Sequence, residues 1–164
     1  MRKMLRILLL LVVSFVILSF QSLVLAQETI AISRQGINPD SPYYDIKRVW
    51  EKINEQVRFS QQSKIEYSQI LAENRLSELS YIAEGKQLDY FETSSNRLSA
   101  QLGTVANLAV KTASSTKKAE IVLQFTKYIR VLEKLRDLYS ANSSYWLLIQ
   151  QNIDTLNILS EKLR

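Results

Sequence analysis

The residue patterns closest to known catalytic motifs lie in a break between two predicted helices. Ser114 and Lys117 have Ser-x-x-Lys spacing, and Lys111 and Thr112 begin a stretch close to Lys-Thr-Gly. In penicillin-recognising enzymes such residues supply the nucleophile and its base. Those motifs lie far apart in a larger mixed fold, whereas here they are neighbours. We therefore expect a helix-capping loop at this position and no catalytic site.

A pair of glutamates offers the next candidate chemistry, acid–base work or metal binding. Glu51 and Glu55 are four residues apart and share one helix face. A di-metal bundle combines such glutamates with Glu-x-x-His, and the chain has no His. The stretch Asn38-Pro39-Asp40 lacks the ligand spacing of a calcium loop. We expect solvated carboxylates here, with no metal and no cofactor.

Missing residue types exclude most other catalytic machinery. The chain of 164 residues has no Cys and no His, which excludes disulfides, thiolate nucleophiles, Ser-His-Asp triads and the H-E-x-x-H zinc helix. Its three glycines are far apart, so no glycine-rich phosphate loop can form. An enzyme would have to use Ser, Lys, Tyr and carboxylates alone, and we predict no catalytic residue.

Apolar residues at steps of three and four predict the helices that position these side chains. The first helix starts with Ser41 as cap and Pro42 in the first helical position. Its apolar face, which we expect to pack into the core, consists of Ile46, Trp50, Ile53 and Val57. Tyr43 and Tyr44 crowd the same helix start; core packing is the favoured interpretation of the aromatic residues, and a partner-binding patch is the alternative.

Four further helices follow with the same periodicity. The second begins near Ser60 or Ser63 and ends at Gly85 in a left-handed conformation; the third contains Gly103, which would mark a close helix crossing. Arg75 and Glu78 predict a structural ion pair. The breaks at residues 113–116 and 142–144 predict caps, although Asn142-Ser143-Ser144 also matches a glycosylation acceptor. The predicted core positions are Ile65, Ala72, Leu76, Leu79 and Ala83; Leu88, Phe91, Ser95, Leu98, Leu102, Val105 and Ala109; Val122, Phe125, Ile129, Leu132 and Tyr139; and Trp146, Ile149, Ile153, Leu156 and Leu163.

The fold class that these elements predict is all-α. We expect an antiparallel bundle of four to five helices over residues 41–164, with the last helix pairing alongside a unit of three or four. A long hairpin or coiled coil that self-associates is the alternative, because each apolar face is narrow.

The N-terminus has the pattern of an export signal. Arg2, Lys3 and Arg6 precede an apolar run over residues 7–20, and Val24-Leu25-Ala26 ends in small residues at the cleavage positions. We predict a signal peptide over residues 1–26 and a polar leader over 27–40. An uncleaved anchor over residues 7–26 is the alternative. Both place the remainder outside the cytoplasm.

Charge weighs against a nucleic-acid partner. The net charge of +5 falls to +2 without residues 1–26. What remains is uneven, with −3 over residues 27–96 and +5 over 97–164. Lys127, Arg130 and Lys134 line one face of the fourth helix, opposite its apolar face. This basic ridge would make a weak contact with an anionic surface, or pair with the acidic half of the domain.

Two segments resemble a known family. Residues 39–48 read Pro-Asp-Ser-Pro-Tyr-Tyr-Asp-Ile-Lys-Arg, Trp50-Glu51-Lys52 follows, and residues 72–78 read Ala-Glu-Asn-Arg-Leu-Ser-Glu after Lys64. These are similar to the Pro-Gly-Ser-Pro-(apolar)-Tyr-x-x-Lys-Arg and Ala-Glu-x-Arg-Leu-x-Glu motifs of an exported bacterial helical family, domain of unknown function 5667. Asp40 stands where Gly is usual. The likeness is good over residues 38–85 and loose over 86–140.

The resemblance implies an exported or envelope helical module and brings no catalytic residues. We therefore expect a non-enzymatic structural or interaction module of the bacterial cell envelope. The alternative is an extracytoplasmic sensor or adaptor tethered to the membrane. Its partner would be another envelope protein or a second copy of the chain.

Overall fold

The computed structural model describes residues 35–164, which belong to one compact unit. It contains five α-helices, and no strand occurs within this range. The helices are α1 (Tyr44–Gln56), α2 (Gln61–Glu84), α3 (Phe91–Thr112), α4 (Ser115–Arg136) and α5 (Ser144–Leu163), with a 3₁₀ turn at Leu88–Tyr90. The predicted all-α helical bundle is confirmed. The predicted signal peptide and the first part of the leader lie outside the described residues.

Serine caps begin three of the five helices. The hydroxyls of Ser60, Ser114 and Ser143 accept hydrogen bonds from backbone N–H groups three residues later, at 3.1, 3.2 and 3.2 Å. Each bond satisfies one of the free donors of the helix's first turn. The start predicted for the first helix is wrong by about two residues, because α1 begins at Tyr44 and Ser41 instead accepts from the N–H of Tyr43 in the preceding turn.

Two helical hairpins, α2–α3 and α4–α5, pack together to form the bundle. The short connections within each hairpin make its two helices antiparallel, and in α4–α5 the bond from Arg136, at the end of α4, to Gln150, near the start of α5, shows this directly. Between the hairpins α3 and α5 run parallel, because Ser99 bonds Asn152 whereas Asn107 bonds Lys162 farther along both helices. The core side chains come from all four helices, including Leu76, Phe91, Phe125 and Ile149.

The structure corrects several details of the predicted helices. The peripheral helix is the first one, since α5 contributes Ile149, Ile153, Leu156 and Leu163 to the core. A Cβ at Gly103 would meet no atom within 4 Å, so no helix crosses closely there. Gly85 has a right-handed conformation, and Lys86 takes the positive φ of 51°. Leu88 lies in the 3₁₀ turn and is exposed.

Candidate interaction site

Helix α1 packs with its polar face toward the bundle. Its two buried residues are Tyr44 and Glu51. The predicted core face is wrong: Ile46, Trp50, Ile53 and Val57 are all exposed, and Trp50 retains 65% of its accessible surface. A helix usually buries its apolar face, so this orientation requires a specific cause.

The cause is a buried ionic cluster between α1 and α2. Arg75 and Glu78 of α2 are each 1% exposed and pair with one another. From α1, Glu51 binds the Arg75 guanidinium, and the ammonium of Lys47 lies 2.7 Å from a Glu78 oxygen. The hydroxyl of Tyr44 donates to the other Glu78 oxygen at 2.8 Å. Buried charges are costly unless paired, so α2 requires the polar face of α1.

Further contacts secure both ends of α1. The guanidinium of Arg97, from α3, donates to the Tyr44 hydroxyl at 3.2 Å and lies 5.2 Å from its ring centre. At the other end, Arg58 stacks over the Tyr67 ring at 4.7 Å, and the Tyr67 hydroxyl donates to the Glu51 carbonyl at 3.3 Å. These contacts orient α1 antiparallel to α2.

The electrostatics of the cluster favour the charged forms of Arg75 and Glu78 and the neutral form of Tyr44. Burial by itself would raise the pKa of Glu78, but Arg75, Lys47 and Tyr44 outweigh it, so that pKa lies below its ordinary value. Burial would lower the pKa of Arg75, yet Glu78 and Glu51 raise it overall. Burial and the Glu78 charge together raise the pKa of Tyr44 to about 12. Within the cluster, Arg75 and Glu78 therefore stay ionised at neutral pH.

On its outer side α1 presents a continuous apolar surface. Its members recur at steps of three and four residues and all are exposed. We call this surface the α1 stripe, and it consists of Tyr43, Ile46, Val49, Trp50, Ile53 and Val57. Phe59, just beyond the helix, is 90% exposed. Contiguous exposed apolar surface of this kind marks interaction sites in soluble proteins.

The groove between α1 and the bundle suits no particular ligand charge. It has a volume of about 410 Å³ and is lined by α1 residues between Arg48 and Glu55, with Leu71 and Gln101 on the other side. Its charged lining is balanced, with Arg48 and Lys52 against Glu51 and Glu55.

The remaining candidates from the sequence have structural or solvated positions. Ser114 and Lys117 form the α4 cap, as expected, and Ser143 caps α5 after Asn142, whose φ is 64°. Glu55 is exposed, but the expectation of a solvated Glu51 is wrong because that carboxylate belongs to the cluster. Among residues 35–164 no group of three acidic side chains is arranged to hold a metal ion.

The predicted basic ridge is a solvent-facing surface. Lys127, Arg130 and Lys134 are exposed, and none forms an ion pair within the described domain. The predicted alternative, in which the ridge forms ion pairs with the acidic half of the domain, is therefore wrong for the described residues. No helix in the described range is long and apolar enough to cross a bilayer.

The predicted ion pair between Arg75 and Glu78 is confirmed, but the sequence analysis missed its burial and its partners in α1, although a signal for them existed. Arg75 and Glu78 lie directly beside Leu76 and Leu79 of α2, which are both fully buried, so these charges had to lie close to the interior. Lys47 and Glu51 supply matching charges four residues apart in the preceding helix.

The two segments that build the cluster are those that resemble family motifs. A family model described as Domain of unknown function (DUF5667) matches residues 36–140. The chain belongs to this family. Its matched region covers α1 to α4 and ends before α5, which completes the core. No curated protein and no solved structure matches the chain.

Proposed function

We propose that this protein is an exported, non-enzymatic interaction module of the bacterial cell envelope. The observation that carries the proposal is the α1 stripe, an apolar surface held outward by charged contacts on the opposite side of its own helix. A binding surface of this kind needs a rigid support, and the α2–α5 bundle supplies it.

The energetic argument is that the stripe forgoes a large stabilisation. Burying a large apolar side chain contributes about 1.5–3 kcal/mol, so the six residues of the stripe together represent on the order of 10 kcal/mol. If α1 were rotated to pack the stripe against the bundle, Lys47 and Glu51 would face solvent, and Arg75 and Glu78 would lose their partners from α1. A partner that covers the stripe would recover this burial without disturbing the cluster.

The proposal of export rests on residues 1–26. The basic start, the apolar run and the small residues ending at Ala26 form a signal-peptide pattern. A membrane-tethered sensor or adaptor is the second candidate, because residues 7–26 are long enough to span a bilayer core of ~30 Å. A weak, salt-sensitive contact between the basic ridge and an anionic surface is compatible with either.

Two measurements test this function. Mass spectrometry of the native N-terminus is expected to find Gln27 first, whereas an intact Met1 in the membrane fraction would favour the tethered form. A photo-crosslinking amino acid at position 50 is expected to give a defined adduct in cells, and one at Leu123, an equally exposed apolar residue of α4, is not. Equal labelling at both positions, or none at either, would contradict an interaction role for α1.

A further inference from the structure

The α1 stripe has the size of one half of a protein interface. The stripe contains two aromatic side chains, of ~150–250 Å² each, and four smaller Ile or Val side chains, so the exposed fractions of its six members leave on the order of 600–800 Å² open. A standard specific interface buries ≈ 800 Å² per partner. An occupant that covers the stripe alone would therefore bury an area within the range of specific interfaces.

Charges beside the stripe are arranged for pairing with a copy of itself. Asp45 and Lys52 are seven residues apart, so their directions around the helix differ by only about 20°. Both are exposed on the same flank of the stripe, and neither has an ion pair in the described domain. Their charges are opposite. Measured along the helix axis, Asp45 lies about 5 Å before the midpoint between Arg48 and Val49, and Lys52 lies about 5 Å after it.

Two-fold symmetry converts this arrangement into complementarity. In an antiparallel pair of identical helices each flank meets the same flank of the other copy, running in the opposite direction. With the axis between Arg48 and Val49, Asp45 faces Lys52 of the second copy, and Lys52 faces its Asp45. A parallel pair brings different flanks together and loses both contacts.

A bilayer is the less suitable occupant. Helices that lie in the membrane interface carry a polar face rich in Lys and Arg. The polar side of α1 instead mixes Asp45, Glu51 and Glu55 with Lys47, Arg48 and Lys52, and two of these charges are committed to the cluster.

We propose that the occupant of the α1 stripe is the α1 stripe of a second copy, packed antiparallel about a two-fold axis between Arg48 and Val49. This inference rests on the proposed interaction function and names its partner. Asp45 and Lys52 set the direction and register of the pair, and the apolar side chains supply most of its affinity. Each α2–α5 bundle lies on the polar side of its own α1, away from the two-fold axis.

Charge reversal tests the pairing directly. Residues 27–164 contain the whole described domain and are suitable for sedimentation velocity over a concentration series. The parent chain is expected to be dimeric, and Asp45→Lys and Lys52→Asp should each raise the dimer Kd about tenfold. An equimolar mixture of the two variants should recover the parent Kd, because every reversed charge then meets an opposite one. A mixture no tighter than its components would overturn the antiparallel register.

Stripe variants and cross-links complete the test. Trp50→Glu is expected to give monomers with an unchanged circular dichroism spectrum, whereas Leu123→Glu, on α4, should stay dimeric. Since the chain has no Cys, Val49→Cys should form a disulfide-linked dimer on mild oxidation, and Leu123→Cys should not.

Other outcomes separate this inference from the proposed function. If the parent chain is monomeric at 100 μM while position 50 crosslinks to a different protein, self-pairing is wrong and the interaction role stands. Binding of the monomer to vesicles of anionic and zwitterionic lipid, lost in Trp50→Glu, would likewise replace the second copy by a membrane. A monomer without any adduct at position 50 would contradict both proposals.

Discussion

Replacing Arg75 with Met tests whether the ionic cluster attaches α1 to the bundle. Methionine keeps much of the length of the side chain but removes the guanidinium, so the buried carboxylates of Glu51 and Glu78 lose their shared partner. Breaking a buried ion pair from one side costs about 3–5 kcal/mol. The protein can avoid this cost by releasing α1, because both carboxylates are then exposed to water.

The apolar contribution of α1 is too small to resist this release. Tyr44 is its sole buried apolar side chain, and burying one such residue contributes about 1.5–3 kcal/mol. No α1 residue belongs to the hydrophobic core of α2–α5. The cluster is therefore the main attachment of α1 to the bundle. We therefore expect Arg75→Met to release α1 while the four-helix core stays folded.

Hydrogen–deuterium exchange resolves the two parts of the domain. A loss of 3 kcal/mol corresponds to at least about 100-fold faster exchange, and we expect it over residues 44–56 but not over α3 or α5. The matched control is Lys117→Met, which breaks another pair with three-residue spacing, between Lys117 and the exposed Glu120 at 3.0 Å. Exposed pairs contribute about 0–1 kcal/mol, so α1 protection should be unchanged. If exchange in α1 stays within threefold of the parent in Arg75→Met, the cluster is not what holds the helix.

Three further predictions concern packing and pH. Trp50→Ala should lower the free energy of unfolding by less than about 1 kcal/mol, because the Trp50 side chain is exposed. Phe125→Ala, in the core, should lower it by ~3–5 kcal/mol. Equal losses for the two variants in chemical denaturation would contradict the orientation of α1. Asn152→Ala should cost about 2–3 kcal/mol, since it removes buried hydrogen bonds to Ser95 and Ser99, and thermal unfolding of the exposed Asn107→Ala provides the control. The pKa of Glu78 is lowered below about 4.5, so its stabilisation is complete above that pH and is lost as the pH falls through the folded-state pKa. Protection of α1 in acid should accordingly decline before that of α3, and Glu78→Gln should flatten this dependence.

Sequence periodicity located the helices well because each bundle helix obeys one local rule. The serine caps at Ser114 and Ser143 and the core positions of α2, such as Leu76 and Leu79, follow directly from spacing. These features depend on neighbours within one or two turns, which a sequence displays.

The orientation of α1 depends on residues more than 20 positions away and was predicted wrongly. The stripe around Trp50 has the periodicity of a core face, and nothing within α1 distinguishes a core face from an exposed one. What decides is the requirement of Arg75 and Glu78 for Glu51 and Lys47, a long-range electrostatic demand that outweighs apolar burial. The same reasoning explains why Glu51, predicted to be solvated, is buried.

The two sides of α1 have separate roles, one in folding and the other in the proposed recognition of a partner. Its inward side chains satisfy the charges of α2, and its outward side chains have no packing duty in the domain. Substitutions in the outward set therefore carry a small folding cost and act mainly on affinity for a partner. Partner preference can therefore change during evolution while the fold stays the same. A surface whose residues also pack into the core does not have this freedom, because each substitution there also changes stability.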